Sequence, residues 1–207
     1  MRLRNVKNAT EILNNSKVLI KEPAQYKGHF QELFGNNNPI EIEIGMGKGD
    51  FILGKALKNP NINYIGIEKY ASIIARAIQK IDPLDLPNLR LIDTDALKLG
   101  DVFDHEITKI YLNFSDPWPK TRHAKRRLTS DWFLPVYESI SIGKPVIEQK
   151  TDNIILFASS IESFSANDYL LEEVSLDYNS EDNVETEYEK KFRAQGLKIN
   201  HLIATKK

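Results

Sequence analysis

Apolar and polar positions along this chain fall into short strand-like and helix-like stretches that alternate after an opening of about 38 residues without clear period. Ile40-Glu41-Ile42-Glu43-Ile44 alternates with period two and stops at Gly45, which predicts a first strand. The pattern then predicts a helix over 50–57, a strand over 64–67 closed by Glu68, a helix over 70–81 and a strand over 89–92. It continues with a strand over 109–112, a helix over 130–139, a strand over 145–148 and a helix over 153–164. Strands over 169–176 and 198–205 flank an irregular stretch, 177–187, that carries Asp177, Glu181, Asp182, Glu185 and Glu187. Such βα steps predict an α/β fold built on an open, mostly parallel sheet, in which ligands bind beyond the carboxyl ends of the strands.

The residues just after each strand therefore carry the candidate chemistry. Gly45-Met46-Gly47-Lys48-Gly49-Asp50 follows the first strand, a tight turn that lets backbone approach a ligand and aims the next helix's amides at it. Its G-x-G-x-G spacing lacks the gap that a dinucleotide fingerprint places before the third glycine, which disfavours a nicotinamide site. Glu68 ends the second strand, where an acid can accept ribose hydroxyls, and Asp95 follows the third, where an acid can accept an adenine amine. Singly, each acid reads equally well as a loop end or helix cap. In this order, the three features describe a pocket for an adenosine without a phosphate tail, the form S-adenosylmethionine offers. Glu41 and Glu43 share one strand face, which a buried sheet does not tolerate unless one of them meets a ligand or solvent; Glu43, nearer the turn, is the candidate. Phe51, Ile52, Leu53, Trp132 and Phe133 read as core, and Lys69 and Arg76 as solvated helix charges.

Composition narrows the class further. The 207 residues are 41% apolar, enough for one substantial core, so a single domain over 1–207 is expected, with 1–38 as a basic, irregular or helical N-terminal extension carrying Arg2, Arg4 and Lys7. The absence of cysteine excludes disulfides, cysteine-ligated zinc and a thiol nucleophile, and the four scattered histidines give no metal-site spacing. No signal-peptide pattern or bilayer-length apolar run is present, so a soluble cytoplasmic protein, monomer or homodimer, without metal or membrane partner is expected. The net charge is −1, yet the eight residues from Lys120 to Arg127 hold five Lys/Arg, one His and no acid. Positive charge this local marks a nucleic-acid docking surface, with a solvated helix start as the plainer alternative.

With these residues assembled, the chain resembles the bacterial tRNA (guanine-N7-)-methyltransferases. The resemblance rests on EIGMGKGDF at 43–51, NFSDPWPKTRHAKRRL at 113–128, KTDN at 150–153 and TEYEKKF at 186–192. It implies a class I methyltransferase (Rossmann-like) fold with a seven-stranded, mostly parallel sheet, helices on both faces and the last strand antiparallel. It also implies S-adenosylmethionine as donor and the variable-loop guanosine of tRNA as acceptor. Donor roles are implied for Glu43, Glu68, Asp95 and Asp116, beside Gly45, Gly47 and Asn113. Substrate roles are implied for Lys120, Asp152, Thr186, Glu187, Tyr188 and Glu189, and contact with RNA for Arg122, His123, Lys125, Arg126 and Arg127. One departure is Ile154, which follows KTDN where the family commonly carries a basic residue.

The implied chemistry needs no general base, because guanine N7 bears a lone pair and no proton, so alignment is the main requirement. Asp116 is the candidate catalytic carboxylate, able to stabilise the charge developing on the purine or to hold either the guanine N1 and N2 donors or the donor's amino group. Trp118 offers a face for base stacking or a lid over the sheet, stiffened by Pro117 and Pro119. Thr186 and Glu189 also match a capping box, and Asp152 could cap the helix after the fifth strand. The acidic stretch 177–187 is expected to be a flap that orders with substrate or donor. The rival readings are a class I methyltransferase for another RNA or a small amine, and an inactive RNA-binding module with a vestigial nucleoside pocket.

Overall fold

A computed structural model describes Val6 and residues 8–207. The basic arm residues Arg2, Arg4 and Lys7 lie outside the described residues. Eight strands form one sheet: β1 (Leu19–Ile20), β2 (Ile40–Ile44), β3 (Asn63–Glu68), β4 (Leu89–Asp93), β5 (Ile107–Asn113), β6 (Val146–Thr151), β7 (Tyr169–Ser175) and β8 (Asn200–Lys206). Their spatial order is β1-β4-β3-β2-β5-β6-β8-β7, and among the strands of the described residues β8 alone is reversed relative to the others. The expected seven strands are all present; the eighth is the two-residue β1, which the opening 38 residues contribute to the edge beside β4. The same opening holds α1 (Ala9–Asn15) and α2 (Phe30–Phe34). It is tied down by distant acids: Asp82 Oδ1 accepts from the Ser16 hydroxyl and the Val18 amide, and the buried Glu106 carboxylate accepts from the amides of Gly28 and Phe30.

The remaining helices are α3 (Asp50–Lys58), α4 (Ala71–Ile81), α5 (Leu99–Val102), α6 (Leu134–Ile140), α7 (Ile154–Ala166) and α8 (Glu187–Ala194). Alternation along β2 sends Ile40, Ile42 and Ile44 into one hydrophobic layer with Phe103, Tyr137 and Phe157. The opposite layer packs Phe51 and Ile52 of α3 and Ile74, Ile78 and Ile81 of α4 on Tyr64, Leu91 and Tyr111. Glu41 and Glu43 point into this second layer, as does Gly66 of β3. A Cβ on Gly66 would stand 2.4 Å from Met46 Sδ and 3.0 Å from Leu91 Cδ2, so the glycine lets the turn after β2 pack down onto β3. Strand order reverses between β2 and β5, and their carboxyl ends open the crevice expected of such a sheet. β6 runs to Thr151, three residues past its expected end, and Gln149, Lys150 and Thr151 are buried there against β8 and the segment before α8.

Candidate functional site

A cleft of about 1120 Å³ lies at the reversal point, between the turn after β2, the loop after β5 and the start of α8. Gly45, Gly47 and Gly49 all adopt left-handed φ (77°, 59° and 76°), the conformation that makes so tight a turn possible, and α3 begins directly after them. Its wall holds Glu43, Gly45, Gly47 and Asn113, four of the residues proposed for the donor. Glu43 is buried; Oε1 accepts from Asn113 Nδ2 at 2.9 Å, while Oε2 and the Asn113 Oδ1 have no hydrogen-bond partner among the described residues. Burial pushes the Glu43 carboxyl up to about 8, against the opposing bond from Asn113 and the charge of Lys150. A buried carboxyl oxygen and a buried amide oxygen without partners, facing a cleft, are suited to a ligand that brings donors or positive charge.

Across the cleft stand Asp116, Thr186, Glu187 and Tyr188. Asp116 is exposed and has no ion-pair or hydrogen-bond partner among the described residues. It sits in a strained turn, since Phe114 and Trp118 on either side have φ of 50° and 42° despite bulky side chains. Thr186 caps α8, its hydroxyl accepting from the Glu189 amide at 2.8 Å. Glu187 reaches over the mouth to Lys48 of the glycine turn at 2.6 Å, and the Tyr188 ring stacks on Phe114 with centroids 6.4 Å apart. Arg76, Tyr70, Ser72 and Ile73 also line the cleft. Arg76, expected to be a solvated charge, carries no sequence signal beyond its place in α4, the helix that follows β3.

Other expected site residues stand elsewhere. Glu68 is turned onto backbone, accepting from the amides of Lys69, Tyr70 and Gly47, and it braces the glycine turn rather than lining the cleft. Asp95 caps the short helix Ala96–Lys98 and meets Lys69 Nζ at 3.7 Å. Asp152 does not cap α7; Asn153 does, accepting from the Leu156 amide at 2.9 Å. Glu189 is fully buried, and its carboxylate binds Lys150, Asn183 and Arg193 instead of reaching the rim. The stretch 177–187 is strapped by ion pairs from Lys58 to Asp182, Lys198 to Asp177, Arg193 to Glu185 and Lys48 to Glu187. Its acids therefore neutralise nearby lysines and arginines.

The basic octet forms the 3-10 helix Thr121–Arg126 beyond the Asp116 turn. Lys120, Arg122, Lys125 and Arg126 are exposed, with no acid in ion-pairing reach among the described residues. Arg126 lies 4.9 Å from the Trp118 ring centroid and His123 meets the ring's edge, while Lys125 sits 4.4 Å over Trp132. Trp132, expected in the core, is 53% exposed. Arg127 turns inward: Nε donates to Pro117 O at 3.0 Å, Nη2 to Trp118 O at 3.2 Å and Nη1 to the Ser159 hydroxyl at 2.6 Å. It braces the Asp116 turn, unlike its exposed basic neighbours. Among the described residues, no group of three or more His, Asp or Glu side chains converges as a metal site would, and no helix is long and apolar enough to cross a membrane.

Comparison with known proteins bears on what this cleft serves. A family model described as "Putative methyltransferase" matches residues 37–202. The chain is 51% identical to the tRNA (guanine-N(7)-)-methyltransferase of Bacillus licheniformis, over 99% of this chain and 98% of that protein. It is 46% identical to the protein of the same name from Lachnoclostridium phytofermentans over 99% and 98%, and 52% identical to that of Listeria welshimeri over 90% and 89%. Among solved structures, the 16S rRNA methyltransferase KamB matches with a TM-score of 0.65 at 14% identity, over 86% of this chain and 92% of that one. An antibiotic-related methyltransferase matches with a TM-score of 0.64 at 18% identity, over the same shares. These last two likenesses concern the fold, a Rossmann-like class I methyltransferase sheet.

Proposed function

The chain belongs to the tRNA (guanine-N(7)-)-methyltransferase family, and from that premise we propose how its cleft divides the work between donor and acceptor. The protein uses S-adenosylmethionine to methylate guanine N7 in tRNA. The acceptor is the variable-loop guanosine, and the product is 7-methylguanosine. When bound, S-adenosylmethionine supplies an electrophilic methyl group on a positively charged sulfur. Glu43 and Asn113, with the close backbone approach that the Gly45–Gly49 turn allows, would hold it; the observation that carries this assignment is the pair of unpartnered buried side-chain oxygens at the ends of β2 and β5. Glu68 and Asp95 act from outside the lining, Glu68 by holding the turn and Asp95 at the end of β4.

Asp116 is the catalytic carboxylate on the acceptor side. Its unpaired oxygens accept from guanine N–H groups and stabilise positive charge as it develops on the purine, while N7 itself needs no proton removed. Thr186, Glu187 and Tyr188 form the facing wall, and Lys120, Arg122, Lys125 and Arg126 hold phosphate outside the cleft. The enzyme acts as a single domain in the cytoplasm. Labelled methyl transfer to unmodified tRNA, beside tRNA carrying 7-deazaguanosine at the variable-loop site, tests the assignment. Incorporation is expected in the first and none in the second; equal incorporation in both would move the acceptor elsewhere.

A further inference from the structure

Lys150, near the end of β6, is a fully buried cation that none of the roles above uses. All three of its N–H donors are satisfied by one segment of chain: Nζ lies 2.9 Å from Asn183 Oδ1, 3.0 Å from Val184 O and 2.8 Å from Glu189 Oε2. The other Glu189 oxygen accepts from Asn183 Nδ2 and from Arg193, so the acid too is fully engaged. Burial opposes the charge on Glu189, yet the Lys150 ammonium and these bonds outweigh it and hold its pKa below the ordinary carboxylate value. On the opposite side, the backbone of Lys150 pairs with Asn113 in the β5–β6 register, and its carbonyl accepts from the amide of Phe114 at 2.8 Å, the first residue of the strained turn. The ammonium also lies 4.9 Å from the ring of Phe51, which lines the cleft floor.

We propose that Lys150 is a positioning residue for the guanine acceptor: its backbone holds the Asp116 turn, its side chain holds the segment leading into Thr186, Glu187 and Tyr188, and together they fix the separation of the two acceptor walls. This rests on reading those walls as the acceptor side. A buried ion pair is a poor stability device, because an apolar or neutral pair of similar size often serves as well, but it tolerates little displacement of either partner. That property suits a site whose reacting atoms must stay aligned to within a fraction of an ångström.

The test compares the parent enzyme with Lys150→Met/Glu189→Gln, which removes both charges at once and strands neither, and with Glu189→Gln alone. Donor affinity is measured by calorimetry, and kcat and KM with unmodified tRNA. The paired variant is expected to melt cooperatively and, at a pH well above 8 where the Glu43 carboxyl is ionised with or without the Lys150 charge, to bind donor within about twofold of the parent, while kcat falls by about 10²-fold. Glu189→Gln alone, which leaves the buried Lys150 charge without its counter-charge, is expected to lower both the melting temperature and kcat. Parent-like kcat in the paired variant overturns the proposal. So does a loss of donor affinity in step with turnover. If the paired variant does not fold, Asn183→Ala is read in its place, with a roughly tenfold drop in kcat at unchanged donor affinity expected and parent turnover overturning the idea. Failure of the parent itself to methylate tRNA would instead sink the acceptor reading.

Discussion

The two walls of the cleft are held by different means. On the side proposed for the donor, Gly45, Gly47 and Gly49 bend the chain at the end of β2, Gly66 gives Met46 room to pack down, and Glu68 takes the Gly47 amide. Backbone and near neighbours do nearly all of this. On the side proposed for the acceptor, the Asp116 turn carries two bulky residues in left-handed conformation and is braced by Arg127 and Lys150, while α8 is anchored through Glu189. Here side chains from remote segments fix the geometry. A wall made of strand ends and glycines provides one constant shape. A wall tied by side chains can be set, and lost, one bond at a time.

The widest break in this contrast is expected from Arg127→Ala. It removes three hydrogen bonds from a charged group and leaves the Pro117 and Trp118 carbonyls unpaired, at about 2 kcal/mol of stability. Thermal melting should fall by roughly 4–8 °C for a chain of this size, and turnover should fall more than donor affinity. An unchanged melting point would remove Arg127 from the turn.

A smaller effect tests the donor wall through pH. The Glu43 carboxyl has its folded pKa raised to about 8 from 4.5, so between those values the folded protein holds a proton that the unfolded chain has released. Its contribution to stability is therefore fully present below pH 4.5, declines as pH rises and is exhausted above about 8. A positively charged ligand in the cleft favours the ionised form. Donor binding should then release a proton below pH 8, and affinity should rise by up to about tenfold per pH unit toward that value. Calorimetry in buffers of different ionisation enthalpy reads the proton directly; no release at pH 7 would mean that Glu43 stays neutral beside the donor.

The smallest expected change is at the rim. Arg122→Ala with Arg126→Ala should raise KM for tRNA by about tenfold and flatten its salt dependence by about two phosphate contacts. Donor affinity and melting should stay put, and an unaltered salt slope would exclude the octet from phosphate binding.

Legibility in the sequence follows the same division. The strands from β2 onward, the glycine turn and the placement of Glu43 were readable because their signals are local: period-two alternation, glycine spacing and an acid that a buried face does not tolerate. β1 was not, because two apolar residues carry no period and its anchor is Asp82, sixty-four residues from Val18. The end of β6 read as a loop because Gln149-Lys150-Thr151 is polar, and the acid that makes Lys150 a buried residue lies thirty-nine positions away. Arg127 looked like its five basic neighbours, and only the fold shows that it faces the turn. Thr186 matched the capping signature and does cap α8, but the Glu189 carboxylate that should complete the box is spent on Lys150 and Arg193. The pattern of residues located the cleft; which charges face it depends on contacts between distant segments.

The division of labour itself is tested most directly by Asp116→Ala, measured for donor binding by calorimetry and for single-turnover methyl transfer to unmodified tRNA. The account predicts donor affinity within about threefold of the parent and a transfer rate lower by about 10²–10³-fold. A variant that transfers at the parent rate, or one that loses donor binding in proportion to its rate, would contradict it.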